Sequence, residues 1–306
     1  GAGQVDAVAA TTSYVYPTVV GAANPSRPKA DLGDGTSGWS FQVELTNMST
    51  EAHTYTLGGQ ALSEIVEGEL FTEHSTNWVG QGIDLTFSSE SVTVPAKSSA
   101  TVTVTVTPQD AFASYANANA PKGTFIDGAV TFTSTDAAPD LTVPYMGFYG
   151  SWGAPAVFDG KWYDGKTSTA HACSSTLMNP ATDVPLGALN PLVGQDPMSV
   201  RAVDPAYFIM SRSAAQEAPN KVLPRTCLLR NTPELTYTYT NEAGDTVRSY
   251  TFERAKKSLF SFSAGAVQPV ESQEGNNPVF DGFDADGHEL PDGRYKLTIE
   301  ASTFAP

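Results

Sequence analysis

Charge is scarce in this 306-residue chain, and positive charge is scarcer still. Charged residues make up 16 % of it, with 17 Lys and Arg against 33 Asp and Glu, for a formal net charge of −16. A surface so short of cations offers no footprint for a phosphate backbone, which excludes nucleic acid as a partner. It disfavours an anionic membrane surface for the same reason. Long hydrophobic runs are missing too: nothing approaches the ~18 apolar residues of a membrane-spanning helix, so no membrane insertion is expected of this chain. No basic segment followed by an apolar stretch opens the sequence, so it reads as a mature chain or an excised piece. Cysteine occurs only at Cys173 and Cys227. Two buried thiols in a reducing compartment would satisfy that count. One disulfide in an oxidising compartment fits a chain rich in Thr and Ser better.

What is present is strand chemistry. The hydrophobic fraction is 40 %, and Thr, Ser, Gly, Pro and aromatics replace the missing charge. Residues 1–10, GAGQVDAVAA, are helix-compatible but too short to be stable alone. Residues 13–20 are β-rich with Pro17 inside, which marks an edge strand or a kinked one, and residues 21–38 read as a loop. From Trp39 the period becomes two, with Trp39, Phe41, Val43 and Leu45 on one face. HTYTLGG closes a strand on two glycines. Ile83, Leu85 and Phe87 alternate next. VPAKSSATVTVTVTP then turns into alternating Val102, Val104 and Val106. A short helical turn is expected over 110–120, then strands in GTFIDGAVTFTS and DLTVPYMGFYG. About seven strands with turns between them predict a sandwich, not βαβ units. Residues 151–200 show no period and read as a long excursion pinned by Trp152, Phe158, Trp162, Tyr163 and Cys173. Strands resume at AYFIMSRS and VLPRTCLLR. A hairpin follows with Leu235, Tyr237 and Tyr239 on one arm and Val247, Tyr250 and Phe252 on the other. Tyr295, Leu297 and Ile299 alternate at the end.

Catalytic chemistry is hard to find by motif. His53, His74, His171 and His288 each sit in a polar, turn-like stretch, where a solvated surface histidine is expected. No G-x-S-x-G occurs. Gly35-Thr36-Ser37 has the letters of a subtilisin nucleophile motif but leads into a strand, so no catalytic residue is assigned. No C-x-x-C or H-E-x-x-H appears, so zinc is not expected. Asp281, Asp284, Asp286 and Asp292 cluster, but the order fails the twelve-residue calcium loop at both ends. They read as two tight turns, and no metal or cofactor is assigned. The stripe of Tyr237, Tyr239 and Tyr250 reads as core, not as a sugar platform.

Three segments resemble parts of one family. GAGQVDAVAA is similar to the last helix of a subtilisin-type catalytic domain. VTVPAKSSATVTVTVTP, GTFIDGAVTFTS and DLTVPYMGFYGSWG resemble the first fibronectin type III-like domain of lactocepin-like cell-envelope subtilases. The matching motifs are V-P-A-x-S-S at 94–99, G-x-[FY]-[LIV]-[DE]-G at 123–128 and P-[YF]-x-G-[FY]-x-G at 144–150. FDGFDADGHELPDGRYKLTIEAS resembles the end of that family's second domain, with Phe280 where Trp is usual. The family's S-P-N-G-D-G calcium stretch is replaced here by SRSAAQEAPNKV, so calcium is not carried over. The family usually lacks cysteine, so a Cys173–Cys227 bond is particular to this chain.

The resemblance implies an all-β protein: two immunoglobulin or fibronectin III-like β-sandwich domains in tandem, at 13–152 and 153–306. Residues 1–12 are then a remnant of the protease domain's last helix. It implies a non-enzymatic accessory region of a secreted, cell-wall or cell-surface serine endopeptidase. Its partners would be the upstream catalytic domain, met near Tyr14, Tyr16 and Val19, and protein substrates. An independent adhesin or carbohydrate-binding module, using the aromatics between Trp152 and Tyr163, is the alternative expectation.

Overall fold

The computed structural model describes residues 6–67, 70–161, 175–188, 203–213, 219–261, 266–268 and 278–304. It is mostly β-sheet and divides into two compact units, one up to Pro155 and the other from Ala156.

The first unit opens with a six-residue helix, α1 (Ala7–Thr12), capped by the Asp6 carboxylate, which accepts from the amides of Val8 and Ala9. Ten strands follow: β1 (Val15–Val19), β2 (Ala30–Gly35), β3 (Trp39–Asn47), β4 (His53–Glu67), β5 (Leu70–Asn77), β6 (Ile83–Phe87), β7 (Ser91–Val94), β8 (Ser99–Pro108), β9 (Thr124–Ser134) and β10 (Leu141–Tyr149). A helix, α2 (Asp110–Asn119), lies between β8 and β9. One sheet runs β1-β3-β8-β6; the other runs β2-β10-β9-β4-β5, with β7 also paired to β4. The Val-Thr alternation of β8 decides its faces: Val102, Val104 and Val106 are fully buried. They share one core with Val43 and Leu45 of β3, Tyr55 of β4, Ile126, Val130 and Phe132 of β9, and Val143 and Tyr145 of β10. Pro17 is tolerated because β1 is an edge strand, where a missing amide costs no ladder bond.

Two expectations fail here for identifiable reasons. The loop expected over 21–38 contains β2, which pairs in parallel with β10. ADLGDG lacks apolar alternation, and its strand conformation comes from the neighbour it pairs with. The glycines of HTYTLGG do not end a strand; β4 runs through them to Glu67. A Cβ on Gly59 would lie 2.8 Å from Leu85 Cδ2 and 2.6 Å from the Ala129 carbonyl oxygen, so glycine admits the facing sheet at that point.

The tightest approach is at Gly128 on β9. There a Cβ would fall 1.9 Å from the Gln60 carbonyl oxygen and 2.8 Å from the Tyr145 hydroxyl. Gly128 pairs with Tyr145 of β10 on one side and Ala61 of β4 on the other. The absent side chain lets the Tyr145 hydroxyl cross β9 and donate to the Gln60 carbonyl at 2.8 Å. Burial, more than the nearby Asp127 carboxylate, pushes the Tyr145 phenol well above its ordinary range. It therefore stays a donor at every physiological pH.

The second unit contains β11 (Thr176–Asn179), β12 (Val184–Pro185), β13 (Leu223–Arg225), β14 (Thr232–Thr240), β15 (Thr246–Ala255), β16 (Leu259–Ser261), β17 (Ala266–Gln268) and β18 (Lys296–Ala301). They form sheets ordered β12-β11-β13, β15-β14-β18 and β16-β17. The expected hairpin is β14–β15, and Leu235, Tyr237 and Phe252 are buried from it beside Leu228. AYFIMSRS is not a strand: Pro205–Tyr207 is a 3-10 turn capped by Asp204. Tyr237 and Tyr239 are core, as their alternation implies, and donate to Thr226 Oγ1 and the Pro278 carbonyl. Phe280 stacks on Tyr239 at 4.5 Å between ring centroids.

Candidate functional site

One corner of the first unit gathers polar groups from two turns that are distant in sequence. It is built outward from Asn47, the last residue of β3, which is 1 % exposed. Its Nδ2 donates to the carbonyls of Glu51, Val94 and Pro95 at 2.7, 3.1 and 3.2 Å, and its Oδ1 accepts from the Ser49 amide at 2.8 Å. An amide side chain folding back on its own backbone defines the β3–β4 turn. The turn places the Ser49 hydroxyl 3.1 Å from His53 Nε2. The same hydroxyl also donates to the Glu51 carbonyl at 2.8 Å.

His53 opens β4, and its side chain is only 16 % exposed, so the expectation of a solvated surface histidine is wrong. Its Nδ1 lies 3.2 Å from both carboxylate oxygens of Asp136 in the β9–β10 turn. Asp136 Oδ1 also accepts from the Ala138 amide at 2.8 Å and the Ser134 hydroxyl at 3.1 Å. The Ala138 amide, ahead of the His53 and Ser134 bonds, holds the Asp136 carboxyl below the usual carboxylate range. Lys97, in the left-handed region at φ 55°, donates its amide to the Ser49 carbonyl at 3.1 Å and its ammonium to the Met48 carbonyl. A cavity of about 730 Å³ opens over this group, walled by Tyr14, Met48 and Pro139 among others.

The other candidates are placed differently. Ser37 is exposed between β2 and β3, with no histidine bonded to it among the described residues. His74 is exposed on β5, and His171 and Cys173 lie outside the described residues. Cys227 is 1 % exposed, and its amide donates to Ser175 Oγ at 3.0 Å. Tyr14 and Tyr16 are 60 % and 43 % exposed, whereas Val19 is 7 % exposed in the core. Grouping all three as one surface is therefore corrected, because strand alternation puts Val19 on the opposite face from Tyr16. Trp152 packs edge-on against Phe148 at 5.0 Å, and Phe158 packs against the second unit's core. Trp162 and Tyr163 lie outside the described residues.

Of the aspartates at 281–292, Asp281 and Asp284 accept turn amides. Asp284 Oδ1 accepts the amides of Asp286 and His288 at 2.9 and 2.8 Å, and its Oδ2 lies 3.2 Å from His288 Nδ1. Arg212 donates to the carbonyls of Gly282 and Leu290 and pairs with Glu289 at 2.8 Å and Asp292 at 3.6 Å. Asp284, Asp286 and His288 bring ligand atoms within 4.8 Å of one another, a group that could hold a cation. The two backbone amides already occupy one Asp284 oxygen.

The lowered Asp136 carboxyl has a definite pH signature. A carboxyl depressed in the folded state adds stability that is present above the unfolded pKa and lost as pH falls through the folded one. Asp136→Asn should therefore lower stability at pH 7, by no more than about 1 kcal/mol because water screens a carboxylate that is 38 % exposed. The deficit should close below about pH 4. Urea titrations from pH 2 to 8 check this; stability curves that stay parallel would contradict it.

Comparison with known proteins bears on the stretch that carries this corner. No curated protein sequence matches the chain. Among solved structures it is similar to the class 5 fimbriae chaperone CfaA, at 10 % identity over 94 % of this chain and 99 % of that one, with a TM-score of 0.30. It is similar to the CooA pilin subunit from enterotoxigenic Escherichia coli, at 6 % identity over 45 % and 98 %, TM-score 0.29. A PapD-like domain of human CEP192 matches at 11 % identity over 45 % and 85 %, TM-score 0.29. At the level of sequence families, residues 31–146, which include β3, β4, β8 and β9, match the Fn3-like domain.

Proposed function

We propose that this chain is an accessory region of a secreted, cell-wall-associated subtilisin-like serine endopeptidase. In this reading it cleaves no peptide bond itself. Two Fn3-like sandwiches stand in tandem at 13–152 and 153–306, and α1 ends the catalytic domain's last helix. The observation that carries the reading is the apolar edge at the entry to the first unit. Val8, Tyr14, Tyr16 and Val20 are 72, 60, 43 and 52 % exposed, and β1 is an edge strand. Large apolar side chains gathered on one edge are a contact surface awaiting a partner, and the upstream catalytic domain is the partner proposed. The Fn3-like match supports the reading, because residues 31–146 contain the V-P-A-x-S-S and G-x-[FY]-[LIV]-[DE]-G segments on which the resemblance rests. Protein substrates are proposed as a secondary contact.

Removing residues 13–306 from the parent enzyme should lower its melting temperature and its kcat/KM on a large protein substrate. A short peptide should be affected much less, since the catalytic cleft stays intact. Equal values on both substrates, with equal stability, would refute docking.

An extracellular location agrees with a Cys173–Cys227 disulfide, which we include in the proposal. The Cys227 amide donates to Ser175 Oγ, and Ser175 is two residues from Cys173 in sequence. A bond closing a loop of this size contributes on the order of 3–4 kcal/mol. Unfolded, unreduced protein should show no thiol towards Ellman's reagent; two thiols would exclude the bond.

A further inference from the structure

The corner at Ser49 has the parts of a nucleophilic relay, none of which the accessory reading uses. Ser49 Oγ, His53 Nε2 and the Asp136 carboxylate stand in hydrogen-bonded series, at 3.1 Å and then 3.2 Å. The roles follow from chemistry. Asp136 accepts from the Ala138 amide and the Ser134 hydroxyl, which keeps it an ionised acceptor. It thereby claims the Nδ1 proton of His53 and leaves Nε2 with its lone pair towards Ser49. The ring is shielded, at 16 % exposure, and both its nitrogens have partners, so its orientation is held. Thr50, next after the serine, lines the depression over this corner, and its amide is the donor assigned to the developing oxyanion. Lys97, whose ammonium donates to the Met48 carbonyl, lines the same depression and contributes positive charge to it. The depression of about 730 Å³ is open to solvent on one side, and Tyr14, Met48, Ala138 and Pro139 line it beside Glu51, Lys97 and the relay groups.

We infer that Ser49, His53 and Asp136 form an acyl-transfer site that hydrolyses small activated esters, with Ser49 as the nucleophile. Ser49 Oγ attacks the ester carbonyl carbon as its proton passes to His53 Nε2. The carbonyl–oxygen bond to the leaving group breaks, and the departing alcohol or phenol takes that proton. Water, deprotonated by the same imidazole, then attacks acyl-Ser49; the acid leaves and the hydroxyl is restored. The restriction to activated esters has a structural cause. The Glu51 carbonyl, at 2.8 Å, competes with His53 for the Ser49 proton. The hydroxyl is thus only partly engaged by its base, which suits a good leaving group and not an amide. This inference is independent of the accessory reading; failure of either leaves the other standing.

The test uses the whole purified chain. A fluorophosphonate probe should label it stoichiometrically, with the adduct on the peptide containing Ser49. 4-Nitrophenyl acetate should give an acyl-Ser49 mass and a rate that rises between pH 5 and 8. Ser49→Ala and His53→Gln, each checked for folding by circular dichroism, should lower that rate by about 100-fold or more. His74→Gln, which removes an exposed histidine on β5 outside the site, should leave it unchanged. No adduct at Ser49, a flat pH profile in the unaltered chain, or turnover that survives Ser49→Ala would overturn the assignment. If His53→Gln does not fold, the Ser49→Ala rate and the pH profile decide the matter alone.

Discussion

The first unit depends on one close approach, at Gly128. Three strands meet there with no side chain on the middle one, and the Tyr145 hydroxyl spans β9 to reach the Gln60 carbonyl. The Tyr145 side of the bond is buried, at 2 % exposure, so leaving its hydroxyl unsatisfied costs more than the bond itself contributes. It therefore acts chiefly on register. A one-residue slip of β4 on β9 would turn Tyr55 and Ala61 out of the core and separate the hydroxyl from its carbonyl. The ring of the same tyrosine reaches the other sheet, 5.7 Å from Phe41, so a single side chain ties three strands of one layer to the facing layer.

The polar corner inherits that register. β4 and β9 stay paired from Ala61↔Gly128 to Tyr55↔Ser134. Just beyond that last pair, the β3–β4 turn supplies Ser49, the first residue of β4 is His53, and the β9–β10 turn supplies Asp136. Neither turn is long enough to find the other unaided. A rigid ladder holds them at hydrogen-bonding distance, which is how loops on a sandwich come to carry chemistry. Asn47 does locally what Gly128 does globally, because its four hydrogen bonds leave the Ser49 turn no alternative path.

The elements legible in the sequence are those governed by local alternation. The Val-Thr repeat of β8, the face of β3 and the β14–β15 hairpin can be read from period two alone. β2 could not be, because ADLGDG is a strand only by virtue of its parallel neighbour. Gly58 and Gly59 look like a terminus because glycine usually marks one, yet here glycine serves a close approach between sheets. The polar corner was illegible for a different reason. Ser49 and His53 lie four residues apart in what reads as an ordinary turn, and Asp136 is 83 residues further on. No spacing motif links groups brought together by sheet topology, and only the Asn-x-Ser sequence of the turn offers a local hint. Tyr16 and Val19 look alike in composition, yet the pleat sends them to opposite faces.

The claim that register at Gly128 sets the distant corner is tested most directly by Gly128→Ala. The added methyl has backbone on its closest side and cannot be accommodated by rotating a side chain. The account predicts destabilisation of about 3 kcal/mol, a fall in melting temperature of roughly 6–12 °C, and loss of the His53–Asp136 hydrogen bond, read from the His53 Nδ1 proton resonance. An unchanged melting temperature, with His53 still coupled to Asp136, would contradict it.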